Sequence, residues 1–293
     1  MAVTAQLVKE LRERTGAGMM ECKNALVAAG GDIDAAVEQM RKAGLAKADK
    51  KAGRVAAEGV IEIRVSDDAR TGAIVEINCE TDFVANGEPF RRFADTVAEA
   101  ALGAPTADVD ALLKRTVDGE TIENRRRSLV ASIGENIRVR RLGRLESRGA
   151  LGHYLHGSRI GAIVALEGGD ETLARDLAMH VAASRPAYVT ADQVPADLLD
   201  KEREILREQA ATEGKPPAIV EKMVEGRLRK FLGEITLLGQ AFVKDDQILV
   251  GKLVEQRGAR VTAFLRFEVG EGIEKPEDDF VSEVMKQVRG ASG

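Results

Sequence analysis

The first 54 residues place their apolar side chains at helical spacing. Leu7 and Leu11 share one face of a first helix. Glycine-containing breaks at 15–18 and 30–31 separate this helix from a second one and from a third, which we expect to end near Lys42. The pattern predicts three short helices in one bundle, which is too small to enclose a pocket and is suited to present a surface to a partner.

After residue 58 the apolar period changes from 3.6 to 2. Ile61 and Ile63 alternate with polar residues, and the apolar residues of 73–79 do the same after a polar turn. This pattern predicts a β-hairpin with one buried face. An amphipathic helix over 90–101 and a further strand beginning near Ile137 follow.

The next part of the chain repeats this order of elements. The segment Gly-Ala-Ile-Val at 72–75 recurs at 161–164, and the helix residues 93–98 match 177–182. Each half ends in a strand, and the second of these, over 261–269, alternates cleanly. The repeat predicts a duplicated α+β core with antiparallel sheets.

The two copies differ between their central strand and the helix that follows. The first copy has five extra residues there, within 79–87, and Phe83 and Val84 lie at the centre of the resulting loop. Large apolar side chains are unusual on a surface loop. Two interpretations stay open: Phe83 packs back on its own domain, or it is buried by a partner.

The second copy contains an insertion with two helical patterns, over 195–214 and 216–234, joined at a Gly-Lys-Pro-Pro turn. We expect an antiparallel helical hairpin. Either its two helices bury their apolar faces against each other, or the hairpin serves as a dimerisation or docking arm. The predicted fold class is α+β, and the predicted domains are a helical domain (1–54), two core subdomains (55–148, and 149–194 with 235–270), the hairpin (195–234) and a C-terminal helical module (271–293).

Composition and charge narrow the possible functions. The 293 residues carry a net charge of −5 and include no Trp, two Tyr, three His and two Cys. The negative net charge disfavours binding to a phosphate backbone, and the few His and Cys residues disfavour a metal cluster and a disulfide scaffold. No apolar run is long enough to cross a bilayer, and charged residues at 9–12 interrupt any signal peptide, so we expect a cytoplasmic protein.

Motifs of covalent chemistry are not found in the sequence. It has no phosphate-binding loop, zinc-ligand spacing or nucleophile elbow. His153 and His156 fall on opposite faces of a predicted strand, and His180 is expected to be a hydrogen-bonded core residue. No cofactor is therefore predicted.

Two long segments, 11–26 (LRERTGAGMMECKNAL) and 76–86 (EINCETDFVAN), resemble the signature segments of the bacterial elongation factor Ts family. Residues 156–161 and 267–272 are also similar to family segments. The resemblance implies a ubiquitin-associated-like N-terminal domain and a guanine-nucleotide exchange factor for elongation factor Tu. Such a factor performs no covalent chemistry, because exchange needs only differential binding.

The resemblance also implies roles for individual residues. Those that would displace magnesium from elongation factor Tu are Thr81, Asp82, Phe83 and Val84, and those expected to contact the GTPase are Arg12, Met19, Met20 and His156. It further implies a homodimer through the hairpin in some members, with no membrane and no direct nucleic-acid partner.

Two alternative functions rest on other residues. The basic run at 41–54 and the arginines at 125–127 would support nucleic-acid binding, although each is typical of a solvated helix face or linker. His156 and Cys79 would have to support a small-molecule enzyme.

Overall fold

The computed structural model describes residues 3–212 and 216–274, without the side chains of 45–47 and 49. Its helices are α1 Ala5–Thr15, α2 Met19–Ala28, α3 Ile33–Lys51, α4 Asp82–Asn86, α5 Glu88–Leu102, α6 Val109–Leu113, α7 Ile122–Ile133, α8 Glu171–Ser184, α9 Ala196–Ala211, α10 Pro217–Ile235 and α11 Val250–Gln256. Its strands are β1 Glu58–Val65, β2 Thr71–Cys79, β3 Thr116–Val117, β4 Glu120–Thr121, β5 Arg138–Glu146, β6 Leu151–His156, β7 Ile160–Glu167, β8 Ala241–Phe242, β9 Asp245–Leu249 and β10 Arg260–Glu268.

Helices α1 to α3 enclose a small core that contains Leu11, Cys22 and Leu26. The chain leaves α1 through Gly16, whose left-handed backbone ends the helix. The prediction that the third helix ends near Lys42 is wrong, because α3 continues to Lys51 and packs on α7. Most of the basic run at 41–54 is therefore part of a helix rather than a linker.

The duplicated pattern corresponds to two three-stranded antiparallel sheets with the same order of elements. The first has the order β1-β2-β5 and the second β6-β7-β10, and a long helix, α5 or α8, lies between the central strand and the last strand of each. The predicted α+β class with antiparallel sheets is confirmed. The ubiquitin-associated likeness and the domain boundaries stay predictions.

The prediction of a hairpin with one buried face is wrong, because both faces of the first sheet are buried. Ile61 lies opposite Glu76, and Ile63 lies opposite Ile74, so the side chains of each pair point to the same face. The apolar residues 61 and 63 of β1 therefore share a face with Ile74, and the alternating apolar residues 73, 75, 77 and 79 of β2 lie on the opposite face.

Each face of that sheet has its own apolar partner. Val75 and Ile77 pack with Phe90 of α5 in one cluster. Ile61 and Ile74 pack with residues of the second sheet in another cluster. Glu76, which the alternation assigns to a polar face, is consequently buried between the two sheets.

Helices α9 and α10 pack against each other through a cluster that includes Leu206, Val220 and Val224. An ion pair between Arg207 and Glu221 joins their exposed sides. The predicted hairpin is present, although its turn at 213–215 lies outside the described residues, as does most of the predicted C-terminal module (275–293).

Candidate partner-binding site

The extra residues of the first copy form a helical turn instead of the expected loop. Thr81 caps α4, and its hydroxyl accepts a hydrogen bond from the Val84 N–H at 3.4 Å. Ala85 is buried and Val84 packs at the edge of the first core cluster, so one side of α4 is anchored. The opposite side carries Asp82 and Phe83 into solvent.

Phe83 does not pack on its own domain. Its side chain is 86% exposed, whereas Phe90 and Phe93 of the adjacent helix α5 are buried. The self-packing interpretation is therefore wrong. An exposed aromatic ring on an anchored helical turn is suited to fill an apolar pocket of another molecule, because it regains there the burial that its own domain does not provide.

The start of α4 is held by Glu135, from the segment between α7 and β5. One carboxylate oxygen, Oε2, accepts hydrogen bonds from the backbone N–H groups of Glu80 (3.1 Å) and Thr81 (3.0 Å). The other, Oε1, accepts one from the Thr81 hydroxyl at 2.7 Å. Glu135 thus binds the residue that caps the helix carrying Phe83.

His156 lies at the exposed end of β6, where its Nδ1 is 3.4 Å from the Tyr154 hydroxyl. The turn after it is tied to α4 by Arg91, which donates to Asn86 Oδ1 at 3.3 Å and to Ser158 Oγ at 3.1 Å. The structure therefore brings the His156 turn and the Phe83 helix to one region of the surface.

The other predicted contact residues lie on the helical module. Met19 and Met20 begin α2 and are 62% and 64% exposed, and Arg12 is exposed on α1. Two adjacent flexible thioether side chains on a small three-helix unit form an adaptable apolar surface.

Comparison with known proteins identifies the family. The model of the family described as elongation factor TS matches residues 80–271. Elongation factor Ts of Thioalkalivibrio sulfidiphilus is 59% identical over 293 residues, covering 99% of this chain and 100% of that protein. The proteins of the same name from Halorhodospira halophila (58%) and Methylococcus capsulatus (59%) each match 99% of this chain and 99% of their own length. This chain belongs to the elongation factor Ts family.

Membership assigns the chain to the elongation factors of protein biosynthesis. The family match includes α4, Glu135 and His156, and the full-length relatives also cover the helical module with Arg12 and Met19. Sequence reasoning selected α4 from the inserted residues but missed Glu135. The pairing of β5 with β2 places the start of β5 beside the end of β2, and the pattern along the chain does not determine which strands pair.

Cys79 has none of the properties of a nucleophile. Its Sγ donates a hydrogen bond to the Thr81 carbonyl at 3.1 Å, and burial, together with the nearby carboxylates of Glu135 and Glu58, raises the pKa of the thiol to about 12. The thiol is therefore neutral and buried at neutral pH. It packs beneath α4 as a small apolar residue.

Residues 3–212 and 216–274 contain neither a metal-binding cluster nor a membrane-spanning helix. No cluster of three or more His, Cys, Asp and Glu side chains in these ranges is arranged to hold a metal ion. None of the helices in the same ranges has both the length and the apolar composition needed to cross a bilayer.

Proposed function

We propose that this member of the elongation factor Ts family is a guanine-nucleotide exchange factor for elongation factor Tu, promoting GDP release and GTP reloading. The observation that carries the proposal is the exposed ring of Phe83 on a capped and anchored helical turn. Exchange requires no nucleophile or resident cofactor. It requires a surface that binds the nucleotide-free GTPase more tightly than the nucleotide-bound one, and the two affinities are coupled reciprocally.

In the proposed mechanism, residues 81–84 enter the GTPase beside its nucleotide site. Phe83 acts as an apolar wedge that displaces side chains supporting the magnesium shell. Mg²⁺ is a sensitive target because it demands near-octahedral geometry and neutralises the phosphates. Asp82 is exposed beside the ring and adds a negative charge that competes for the polar partners of the ion.

Docking would be provided by surfaces outside the wedge. The helical module supplies a charged contact through Arg12 and an adaptable apolar contact through Met19 and Met20. His156 adds a contact from the turn that Arg91 ties to α4. These contacts bind the GTPase in both states and set the affinity. The wedge sets the rate of nucleotide release.

The test is stopped-flow release of fluorescent GDP from elongation factor Tu, with and without this protein. We expect strong acceleration by the wild type and at least about tenfold less by Phe83→Ala, because an aromatic anchor contributes at least ~1.4 kcal/mol to such contacts. Leu249→Ala, which removes an exposed apolar side chain from β9, is the matched control. Absence of acceleration by the wild type would refute the proposed function.

A homodimer through α9 and α10 is a second part of the proposal. Ile205 and Ile219 are 40% and 46% exposed on the outside of the hairpin. Sedimentation of the wild type and of Ile205→Glu should show a dimer that the substitution dissociates.

We expect cytoplasmic activity without direct nucleic-acid binding. Salt-dependent binding to RNA would contradict the expectation on nucleic acid.

A further inference from the structure

We infer that Glu135 is a positioning residue for exchange: it fixes Thr81 so that α4 begins there and directs Phe83 outward. The inference rests on the proposed function for its effect on exchange. Its structural basis is independent of that function: one carboxylate accepts three hydrogen bonds from two adjacent residues.

The Thr81 hydroxyl has two opposite roles at once. It donates its proton to Glu135 Oε1 and accepts the Val84 N–H, so the acceptor side of the oxygen is left facing the first turn of α4. A hydroxyl can rotate freely about its C–O bond. The charged acceptor at Glu135 holds it in the one orientation that caps the helix.

Helix α4 depends on this cap more than a long helix would. It has five residues, so it lacks the length that stabilises an isolated helix. The cap holds its start, whereas the buried Ala85 and the hydrogen bond from Arg91 to Asn86 hold the later part of the helix. Loss of the cap would leave the backbone of 81–83 free to take other conformations, and Phe83 would no longer hold one direction.

Glu135 is itself held in place. Helix α7 ends at Ile133 and is capped by Gly134, which has a left-handed backbone with φ +86°, and the chain turns there toward β5. The buried Asn136 donates from its side chain to the Arg54 carbonyl (2.7 Å) and from its backbone to Glu80 Oε1 (2.6 Å). The segment that carries Glu135 is therefore fixed in advance by hydrogen bonds to two other segments of the chain, at Arg54 and Glu80.

The test is a double-mutant cycle between Glu135→Ala and Phe83→Ala in the GDP-release assay. We expect Glu135→Ala to lower the maximal acceleration by about tenfold, as the loss of charge-assisted hydrogen bonds can produce. The concentration that gives half-maximal acceleration should change much less, because the docking surfaces are untouched. In the Phe83→Ala background, Glu135→Ala should cost no more than about twofold, since its effect acts through the ring.

Two further variants test whether the effect on GDP release is specific to the Glu135 carboxylate. Glu135→Gln keeps an oxygen that can accept the two backbone N–H groups, so its loss of acceleration should lie between those of the wild type and Glu135→Ala. If circular dichroism shows that Glu135→Ala does not fold, Glu135→Gln replaces it in the double-mutant cycle. Glu123→Gln removes a carboxylate that pairs with Arg126 and Arg127 at the other end of α7, and should leave the rate unchanged.

Hydrogen exchange of the free protein separates this inference from the proposed function. Glu135→Ala should speed amide exchange in 80–87 and leave the rest of the chain protected, whether or not the wild type accelerates GDP release. Unchanged exchange in 80–87 would overturn the inference. So would equal fold losses in the wild-type and Phe83→Ala backgrounds, which would mark a general structural role.

Discussion

Arg140 donates from one guanidinium nitrogen to both carboxylate oxygens of Glu76, at 3.1 and 3.0 Å. The Glu76 side chain has no exposed surface. Its oxygens also accept from Arg141, from the Asn78 amide (3.0 Å) and from the Gly270 N–H (2.8 Å). This buried carboxylate therefore joins the first sheet to the segment that follows β10.

We predict that Glu76→Ala lowers the free energy of unfolding by about 3–5 kcal/mol, because it removes the buried anion shared by Arg140 and Arg141 and the acceptor of the Gly270 N–H, although Arg141 keeps its ion pair with Glu271. Urea-induced unfolding followed by circular dichroism measures the change. Glu88→Ala, which removes an exposed partner of Arg92 on α5, should change stability by less than about 0.5 kcal/mol. A similar small change for both variants would contradict the prediction.

The burial of Glu76 shows what the sequence pattern could and could not establish. Alternation identified β1 and β2, and the internal repeat predicted two related sheets. The face on which each set of apolar residues lies depends on the pairing of Ile61 with Glu76, and alternation within a single strand does not determine pairing. The second sheet then buries the face that had been assigned to solvent.

The candidate site could likewise be predicted only in part from the sequence. The five extra residues and their apolar content singled out Phe83 from the sequence, because a local comparison of the two copies was sufficient. Glu135 lies 54 positions from Thr81 and meets it only because β5 runs antiparallel to β2. Long-range polar contacts of this kind need the topology before they can be predicted.

Phe83 should be nearly irrelevant to stability. We predict that Phe83→Ala changes the free energy of unfolding by less than about 0.5 kcal/mol, since the ring is exposed, whereas Phe90→Ala costs about 3–5 kcal/mol through the cavity it leaves. Thermal or urea unfolding of the two variants provides the comparison. A large loss for Phe83→Ala would mean that the ring packs on its own domain in solution.

His180 should make stability depend on pH. Its Nδ1 accepts the Val243 N–H at 3.1 Å, so Nε2 carries the proton and donates to Gln240 Oε1 at 2.9 Å. Burial lowers the pKa of His180 in the folded state, although its hydrogen bond to Gln240 opposes the shift. Protonation of Nδ1 would place two N–H groups against each other, which agrees with that direction.

The unfolded chain therefore binds the His180 proton at a higher pH than the folded chain does. The contribution of His180 is fully present above about pH 6.5 and is lost as the pH falls from there through the folded pKa, by at most ~1.4 kcal/mol per pH unit. Unfolding measured between pH 7.5 and 5.5 should show a flatter dependence for His180→Gln than for the wild type. Parallel curves would contradict the prediction.

Gly152 of β6 lies close to the backbone of α8. A Cβ atom at this position would lie 2.1 Å from the carbonyl carbon of Ala174, which is backbone and cannot move aside as a side chain could. We predict that Gly152→Ala lowers the free energy of unfolding by about 1–3 kcal/mol or more, because the helix must shift away from the sheet. Gly226 on α10 is the matched control, since its Cβ would meet nothing within 4 Å. Gly226→Ala should raise helix stability by about 0.5–1 kcal/mol, and opposite signs for the two substitutions in urea unfolding are the expected result.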